Sequence, residues 1–478
     1  MTYSKSIVFG TDGWRGIIAA DFTVANVCRV TRAIAGYLET VYSQDHPVLI
    51  GYDTRFLADQ FAATAAAVLA ELGWQVKIAQ RDCPTPALAY SACTMNSAGA
   101  LMFTASHNPA AYCGIKYIPD YGGPATTAIT DGITANLERV SDALPQGLPT
   151  TRISSFNPQP AYLQYLYTFL DIPRIRSAGL KVTYDALYSC SRGYLDEALH
   201  YCGCTVESIH TERDVLFGGG APEPTGQQLT ELRQRVLASQ AVVGLATDGD
   251  SDRFGIVDEL GNILPANLVL LLLTRHLVKH QGKTGAIVRT VATTSLLDNL
   301  AASYGLPLYE TPVGFKYIGE KMRQHTVLIG GEESGGMSIL GHIPEKDGIL
   351  ANLLVVEAIA WEQRPLSQLI TEVLAEAGGT IYTYRLDLAL PAMEQRHLLE
   401  AVCQQPPTQV ANLAVKQVSY LDGVKLYLED GSWVLLRPSG TEPLLRVSLE
   451  TRSAAQVSVI AGAMQRMIET LTLATPLA

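Results

Sequence analysis

The sequence predicts an α/β protein made of three similar α/β domains followed by a smaller α+β domain, and three observations carry that prediction. At 478 residues the chain exceeds what one hydrophobic core supports, so two to four domains are expected. One pattern of short apolar strand, helix, glycine, strand and further apolar strand occurs three times. The last hundred residues change character, alternating short strands with Asp-Gly turns. The divisions expected are 1–150, 151–258, 259–378 and 379–478.

In chain order, Phe9-Gly10-Thr11-Asp12-Gly13-Trp14-Arg15-Gly16 has too many glycines for a helix and is read as a loop carrying Arg15. A helix rich in Ala, Val and Leu is expected over 24–42. The first copy of the repeat has strands at 48–53, 74–78 and 99–103, with a helix over 56–72 capped by Gly73. The prolines of 144–149 and the polar stretch 154–160 suit a linker. The second copy has strands at 180–185, 205–209 and 241–246 and a helix over 192–201. The third has strands at 286–290, 306–309 and 327–329 and a helix over 295–304. In the tail, strands are expected at 418–421, 424–428, 433–436 and 444–449, and a closing helix near 454–471.

Composition narrows the function. The net charge of -11 argues against a general nucleic-acid binder, whose surface must be basic to displace counterions from phosphates. The longest apolar stretch, 263–273, is interrupted by Pro265 and Asn267, so no membrane span is expected. Eight cysteines without a Cys-x-x-Cys pair make neither a disulfide framework nor a zinc site, and the protein is read as cytoplasmic with reduced thiols.

In each repeat the third strand runs into a polar loop. Ala100-Leu101-Met102-Phe103 delivers Thr104-Ala105-Ser106-His107-Asn108-Pro109, a turn with a candidate nucleophile in Ser106. The second ends in Asp248-x-Asp250-x-Asp252, a density of carboxylate that self-repels unless a hard cation such as Mg²⁺ sits among them. An EF-hand is excluded because Arg253 stands at the sixth position, where the sharp turn needs Gly. The third ends in Gly331-Glu332-Glu333-Ser334-Gly335-Gly336, whose Glu332 and Ser334 suit sugar hydroxyls. In the tail, Arg437-Pro438-Ser439-Gly440-Thr441 joins a guanidinium, two hydroxyls and a glycine, the parts of a phosphate cradle. Lys116 and Lys316, in Gly114-Ile115-Lys116 and Gly314-Phe315-Lys316, are candidates for orienting phosphate or moving protons. Together these pieces imply a serine that carries phosphate, a metal that neutralises it and a second cradle for the substrate's other end, which is phosphoryl transfer.

With these four motifs in this order, the whole chain resembles the α-D-phosphohexomutase family of phosphoglucomutases and phosphomannomutases. The resemblance implies mixed sheets, four domains around a central cleft and a resting phosphorylated Ser106. It also implies Mg²⁺ held by Asp248, Asp250, Asp252 and Ser106, and a bisphosphorylated sugar that turns over within the site. It suggests Arg15, His107, Lys116 or Lys316 as catalytic groups without deciding which moves the proton. The substrate expected is a hexose phosphate, glucose 1-phosphate first, with glucose 1,6-bisphosphate as intermediate and activator; mannose or a hexosamine is the close alternative. A metal-dependent sugar phosphatase and a sugar-phosphate sensor are the alternatives from other classes. Two residues depart from the family pattern: Ser251 stands where Gly is frequent, and Cys113 stands where Asn is frequent. No oligomeric state follows from the sequence.

Overall fold

The computed structural model describes residues 7, 9–10, 13–147, 150–438 and 444–474. The first sheet holds β1 (Trp14–Ile17), β2 (Val48–Tyr52), β3 (Val76–Ala79), β4 (Ala100–Phe103), β5 (Tyr112–Ile118) and β6 (Ile153–Phe156), in the spatial order β1-β5-β4-β2-β3-β6. The second holds β7 (Lys181–Asp185), β8 (Thr205–Ile209), β9 (Val243–Thr247), β10 (Phe254–Asp258) and β11 (Ile263–Leu264), ordered β11-β10-β9-β7-β8. The third holds β12 (Ala286–Thr290), β13 (Leu308–Thr311), β14 (Val327–Gly331) and β15 (Met337–Ile339), ordered β13-β12-β14-β15.

The expected repeat is present, with one strand more than the sequence pattern disclosed. In each sheet the first strand of the unit (β2, β7, β12) lies between the second (β3, β8, β13) and the third (β4, β9, β14), all parallel. Parallel neighbours need crossovers, and helices supply them: Ala58–Glu71 and Thr85–Thr94, Leu195–Tyr201 and Thr230–Ser239, Leu296–Tyr304 and Phe315–Gln324. Strands covered by helices are buried on both faces, which is why β4 and β14 read as unbroken apolar runs and β9 as one up to Ala246. The additional strands β5, β10 and β15 return antiparallel against β4, β9 and β14, so the sheets are mixed. The serine, aspartate and glutamate motifs are the connections into these return strands, and hence occupy equivalent positions in the three units.

Two expectations are corrected. The glycine-rich stretch around Arg15 is a strand and not a loop: β1 pairs antiparallel with β5, Arg15 facing Gly114. Glycine is needed there because a Cβ on Gly13, at φ +91°, would lie 2.3 Å from the Ile115 carbonyl oxygen. The supposed linker at 154–160 is in part an edge strand, β6 pairing in parallel with β3.

The fourth sheet is antiparallel throughout: β16 (Tyr382–Ala389), β17 (Gln409–Val410), β18 (Leu413–Ser419), β19 (Val424–Leu428), β20 (Trp433–Pro438) and β21 (Leu444–Thr451), ordered β16-β21-β20-β19-β18-β17. Helices Ala392–Gln404 and Ala454–Ala474 pack on it.

One apolar core runs through the first three domains, joining Leu49 and Met102, Val182 and Leu245, and Ile287 and Ile329 through the helix Gly348–Glu362. That helix is buried around its whole circumference from Gly348 to Ala360, as its lack of a polar face requires. The fourth domain has a core of its own, including Leu426, Leu436, Val447 and Met464, and meets the third through the small patch Val291, Trp433 and Leu435. Among the described residues no helix is long and apolar enough to cross a membrane.

Candidate active site

Ser106 sits in the loop from β4 to β5 with φ +52°, a left-handed conformation that costs an ordinary residue of order 1 kcal/mol. The surroundings impose it. Thr104 Oγ1 accepts the Ser106 amide at 2.8 Å and donates to Asp53 Oδ2 at 2.6 Å. The wholly buried Arg55 guanidinium pairs with Asp53 at 3.0 Å. It also donates to the carbonyls of Ser106 (2.7 Å), Asn108 (2.6 Å), Pro109 (2.8 Å) and Tyr112 (3.0 Å). Burial raises the Asp53 carboxyl to about 6, against the opposing pull of Arg55 and the hydrogen bond from Thr104. Arg15 braces the same loop from β1, its Nη1 donating to Asn108 Oδ1 at 2.7 Å.

The loop thus held presents Ser106 Oγ to Asp248 Oδ2 at 2.7 Å. Gly249 permits the approach, since a Cβ there would lie 2.5 Å from the Ser106 carbonyl oxygen. Asp248, Asp250 and Asp252 are fully buried, and one oxygen from each lies within 4.8 Å of the others. Burial and the two neighbouring carboxylates push Asp248 well above the usual carboxylate range. The cations present balance this charge in part: Lys116 Nζ reaches Asp250 at 2.8 Å and Asp252 at 3.1 Å, and Lys346 Nζ reaches Asp252 at 3.1 Å. Thr85 Oγ1 donates to Asp250 at 2.7 Å. Asp252 Oδ1 is buried without a hydrogen-bond partner among the described residues, and three converging hard oxygens suit a divalent cation. The residues present therefore fit Mg²⁺.

His107 Nδ1 lies 3.4 Å from Ser106 Oγ. Burial, reinforced by Arg253 and Arg15, lowers the His107 imidazole to about 2, so it is neutral. The sugar-loop candidates separate. Glu332 is buried, accepts the Gly314 amide at 3.0 Å and is raised by burial to about 7. Ser334 is exposed. Lys316 does not join the aspartates: it donates to Thr127 at 3.2 Å, on the first domain.

Backbone contacts stitch the loops together. Arg253 bridges to Gly336, and the Phe254 amide donates to the Gly335 carbonyl at 3.0 Å, fastening the aspartate loop to the glutamate loop. Arg437 Nε donates to Asp422 Oδ2 at 2.8 Å, and the same oxygen accepts the Val313 amide at 2.9 Å, one residue before Gly314. Arg446 stands opposite Arg437 in the ladder. Ser439, Gly440 and Thr441 lie outside the described residues. Asp53, Arg55, Thr85, Lys346 and Asp422 were not found from sequence; only Asp53-Thr54-Arg55 carried a signal, as charge at the carboxyl end of a strand.

Four family models match in succession: the phosphoglucomutase/phosphomannomutase alpha/beta/alpha domains I over 6–143, II over 160–261 and III over 265–377, and the C-terminal domain over 398–466. The chain belongs to the phosphoglucomutase/phosphomannomutase family. It is 30% identical to the phosphoglucosamine mutase of Caldicellulosiruptor bescii over 97% of this chain and 98% of that one. It is 28% identical to a phosphoglucomutase of Komagataeibacter xylinus, covering 98% and 92%. A solved structure from Thermus thermophilus, described as a phosphomannomutase, superposes with TM-score 0.86 at 33% identity, covering 98% of this chain and 100% of the other. As a phosphohexomutase the protein is an isomerase that moves a phosphoryl group between positions of one substrate. A divalent cation held by Asp248, Asp250 and Asp252 would supply charge neutralisation for such a transfer.

Proposed function

We propose that the protein interconverts glucose 1-phosphate and glucose 6-phosphate through phosphorylated Ser106 and glucose 1,6-bisphosphate. The observation that supports this reading is Ser106 Oγ, held in a strained loop against the buried Asp248. The phosphoserine P–O bond breaks as a bond forms from phosphorus to the sugar's free hydroxyl oxygen. That hydroxyl's proton passes to His107 and on to Ser106 Oγ, which departs as the serine hydroxyl. The sugar bisphosphate then turns over, and the reverse transfer returns a phosphoryl group to Ser106 and a proton to the hydroxyl released. His107 suits the role because it is neutral, and a phosphoserine dianion beside it raises its basicity. Lys116, ion-paired with Asp250 and Asp252, has no lone pair to offer. Arg437, with Ser439, Gly440 and Thr441, holds the phosphate that is not in transfer, and Glu332 takes sugar hydroxyls.

For the sugar, Gly331-Glu332-Glu333-Ser334 resembles the glucose-preferring members of the family. A second reading, glucosamine phosphate, is favoured by the several phosphoglucosamine mutases among the relatives. The test combines intact mass and mapping of the phosphopeptide with a panel of glucose, mannose and glucosamine 1-phosphates, Mg²⁺ and the matching bisphosphate. Phosphate on Ser106, an inactive Ser106→Ala variant and fastest turnover of glucose 1-phosphate are expected. Release of inorganic phosphate would mark a phosphatase, and preference for another sugar would overturn the choice of glucose.

A further inference from the structure

Asp422-Gly423 reads in sequence as a hairpin turn, and it does join β18 to β19. The turn is also pressed against the end of β20. A Cβ on Gly423, at φ +83°, would lie 2.2 Å from the Leu436 carbonyl oxygen, so only glycine lets Asp422 come so close to Arg437. The Asp422 side chain is turned inward to meet two donors from different domains. One is Arg437 Nε–H, at the base of the expected phosphate cradle; the other is the backbone N–H of Val313, in the third domain. Both bonds fall on the single oxygen Oδ2. The residue after Val313 donates its own N–H to Glu332 Oε1 at 3.0 Å. A continuous chain of polar contacts therefore runs Arg437, Asp422, Val313-Gly314, Glu332.

Because Asp422 takes Nε–H, the outer fork of the guanidinium, formed by Nη1 and Nη2, is the edge left to face a phosphate. The same carboxylate refers the position of that fork to the turn that holds Glu332. We propose that Asp422 is a positioning residue that sets the distance and orientation between the phosphate-binding Arg437 and the sugar-binding Glu332. The two ends of a hexose phosphate are then gripped at one separation although they are held by different domains. The proposal rests on the phosphohexomutase reading for the identity of the ligand, but the tie itself is a property of the chain.

A ligand gripped at both ends loses rate steeply when one grip shifts, by about a hundredfold for a displacement near 1 Å. Asp422→Ala removes both bonds. The expected result is kcat/KM for glucose 1-phosphate lowered by between about tenfold and a hundredfold, with kcat falling as well as KM rising. Asp422→Asn keeps an oxygen for the Val313 amide and loses the ion pair; it should restore most of kcat while KM stays raised. The deciding measurement is the double-mutant cycle with Glu332→Gln. If Asp422 acts through the shared geometry, the double variant is no worse than Glu332→Gln alone by more than about threefold. Effects that multiply, or a fully active Asp422→Ala variant, would overturn the proposal. Hydrogen exchange on the same variants needs no turnover. The Val313 and Gly314 amides should lose protection in Asp422→Ala while those of β19 and β20 keep it. If they do not, the tie is absent whatever the enzyme does. If they do and no hexose phosphate is turned over by the unaltered protein, it is the function reading that fails.

Discussion

Replacing Arg55 by Met tests the claim that Ser106 is held in place from behind. The guanidinium is wholly buried and serves five acceptors at once: Asp53 and the carbonyls of Ser106, Asn108, Pro109 and Tyr112. Methionine fills much of the same space and supplies no donor. Stranding the Asp53 carboxylate costs about 3–5 kcal/mol, the usual loss on breaking one side of a buried ion pair. The Ser106 carbonyl adds about 1–3 kcal/mol, while those nearer the surface can turn to water. A local loss on the order of 5 kcal/mol corresponds to more than three decades in an opening equilibrium. Hydrogen exchange reads this directly at the Ser106 amide, bonded to Thr104, and the Asn108 amide, bonded to Ala105. Both should exchange faster by about three orders of magnitude in Arg55→Met, or as far as the loop's own stability allows, while amides of β2 and β4 stay protected. Mutase activity should fall with them. Adding Asp53→Asn removes the stranded charge and should recover part of the stability, but not the activity, because the loop carbonyls are still unheld. Protection at Ser106 within tenfold of the unaltered protein, together with normal turnover, would refute the reasoning.

Asp250→Asn should abolish turnover without unfolding the chain, since one carboxylate of the buried three is gone; activity against Mg²⁺ concentration checks this, and undiminished activity at low metal refutes it. Arg437→Ala should raise KM and slow turnover, and small-angle scattering with and without glucose 6-phosphate should show the unaltered protein becoming more compact. An unchanged radius would count against closure of the fourth domain. Glu332 makes stability depend on pH. Its carboxyl is raised from 4.5 to about 7, so the native state holds a proton that the unfolded chain has lost between those values. Its contribution is fully present below pH 4.5 and is lost as pH rises through about 7, a swing on the order of 3 kcal/mol. Urea unfolding of the protein and of Glu332→Gln at pH 4.5 and pH 8 should show that swing in their difference; a constant difference would refute the assignment.

The repeat was legible because β2, β4, β9 and β14 are covered on both sides and must be apolar along their length. The return strands were not, because each lies next to the site and is interrupted by its demands. β5 carries the ion-paired Lys116 in its middle, and the approach of β5 to β1 needs a glycine at position 13, just ahead of β1. The same division holds in the site. Ser106 and the three aspartates announce themselves, since a turn at a strand end and an alternation of carboxylates are local patterns. Arg55 meets its carbonyls 51 to 57 positions along the chain, and Asp422 meets Val313 across 109, so no window of sequence contains either relationship. Lys116 and Lys316 stand in similar Gly-x-Lys settings, yet only the fold sends one to the aspartates and the other to Thr127.

The separate core of the fourth domain has a consequence for how such a protein fails. Its attachment to the third domain includes the patch around Trp433 and a few polar bridges, among them Lys425 and Tyr427 to Glu310, Ser295 to Glu450 and Val313 to Asp422. Heat or denaturant can undo those while the shared core of the other three domains, and the Ser106–Asp248 contact inside it, stays whole. On the proposed function, a molecule caught in that half-melted condition keeps its phosphoserine and loses the part that orients a sugar, leaving water as the nearest acceptor. Mild warming would then show itself first as phosphate leaking from the protein, at a temperature where spectroscopy still reports most of the fold intact.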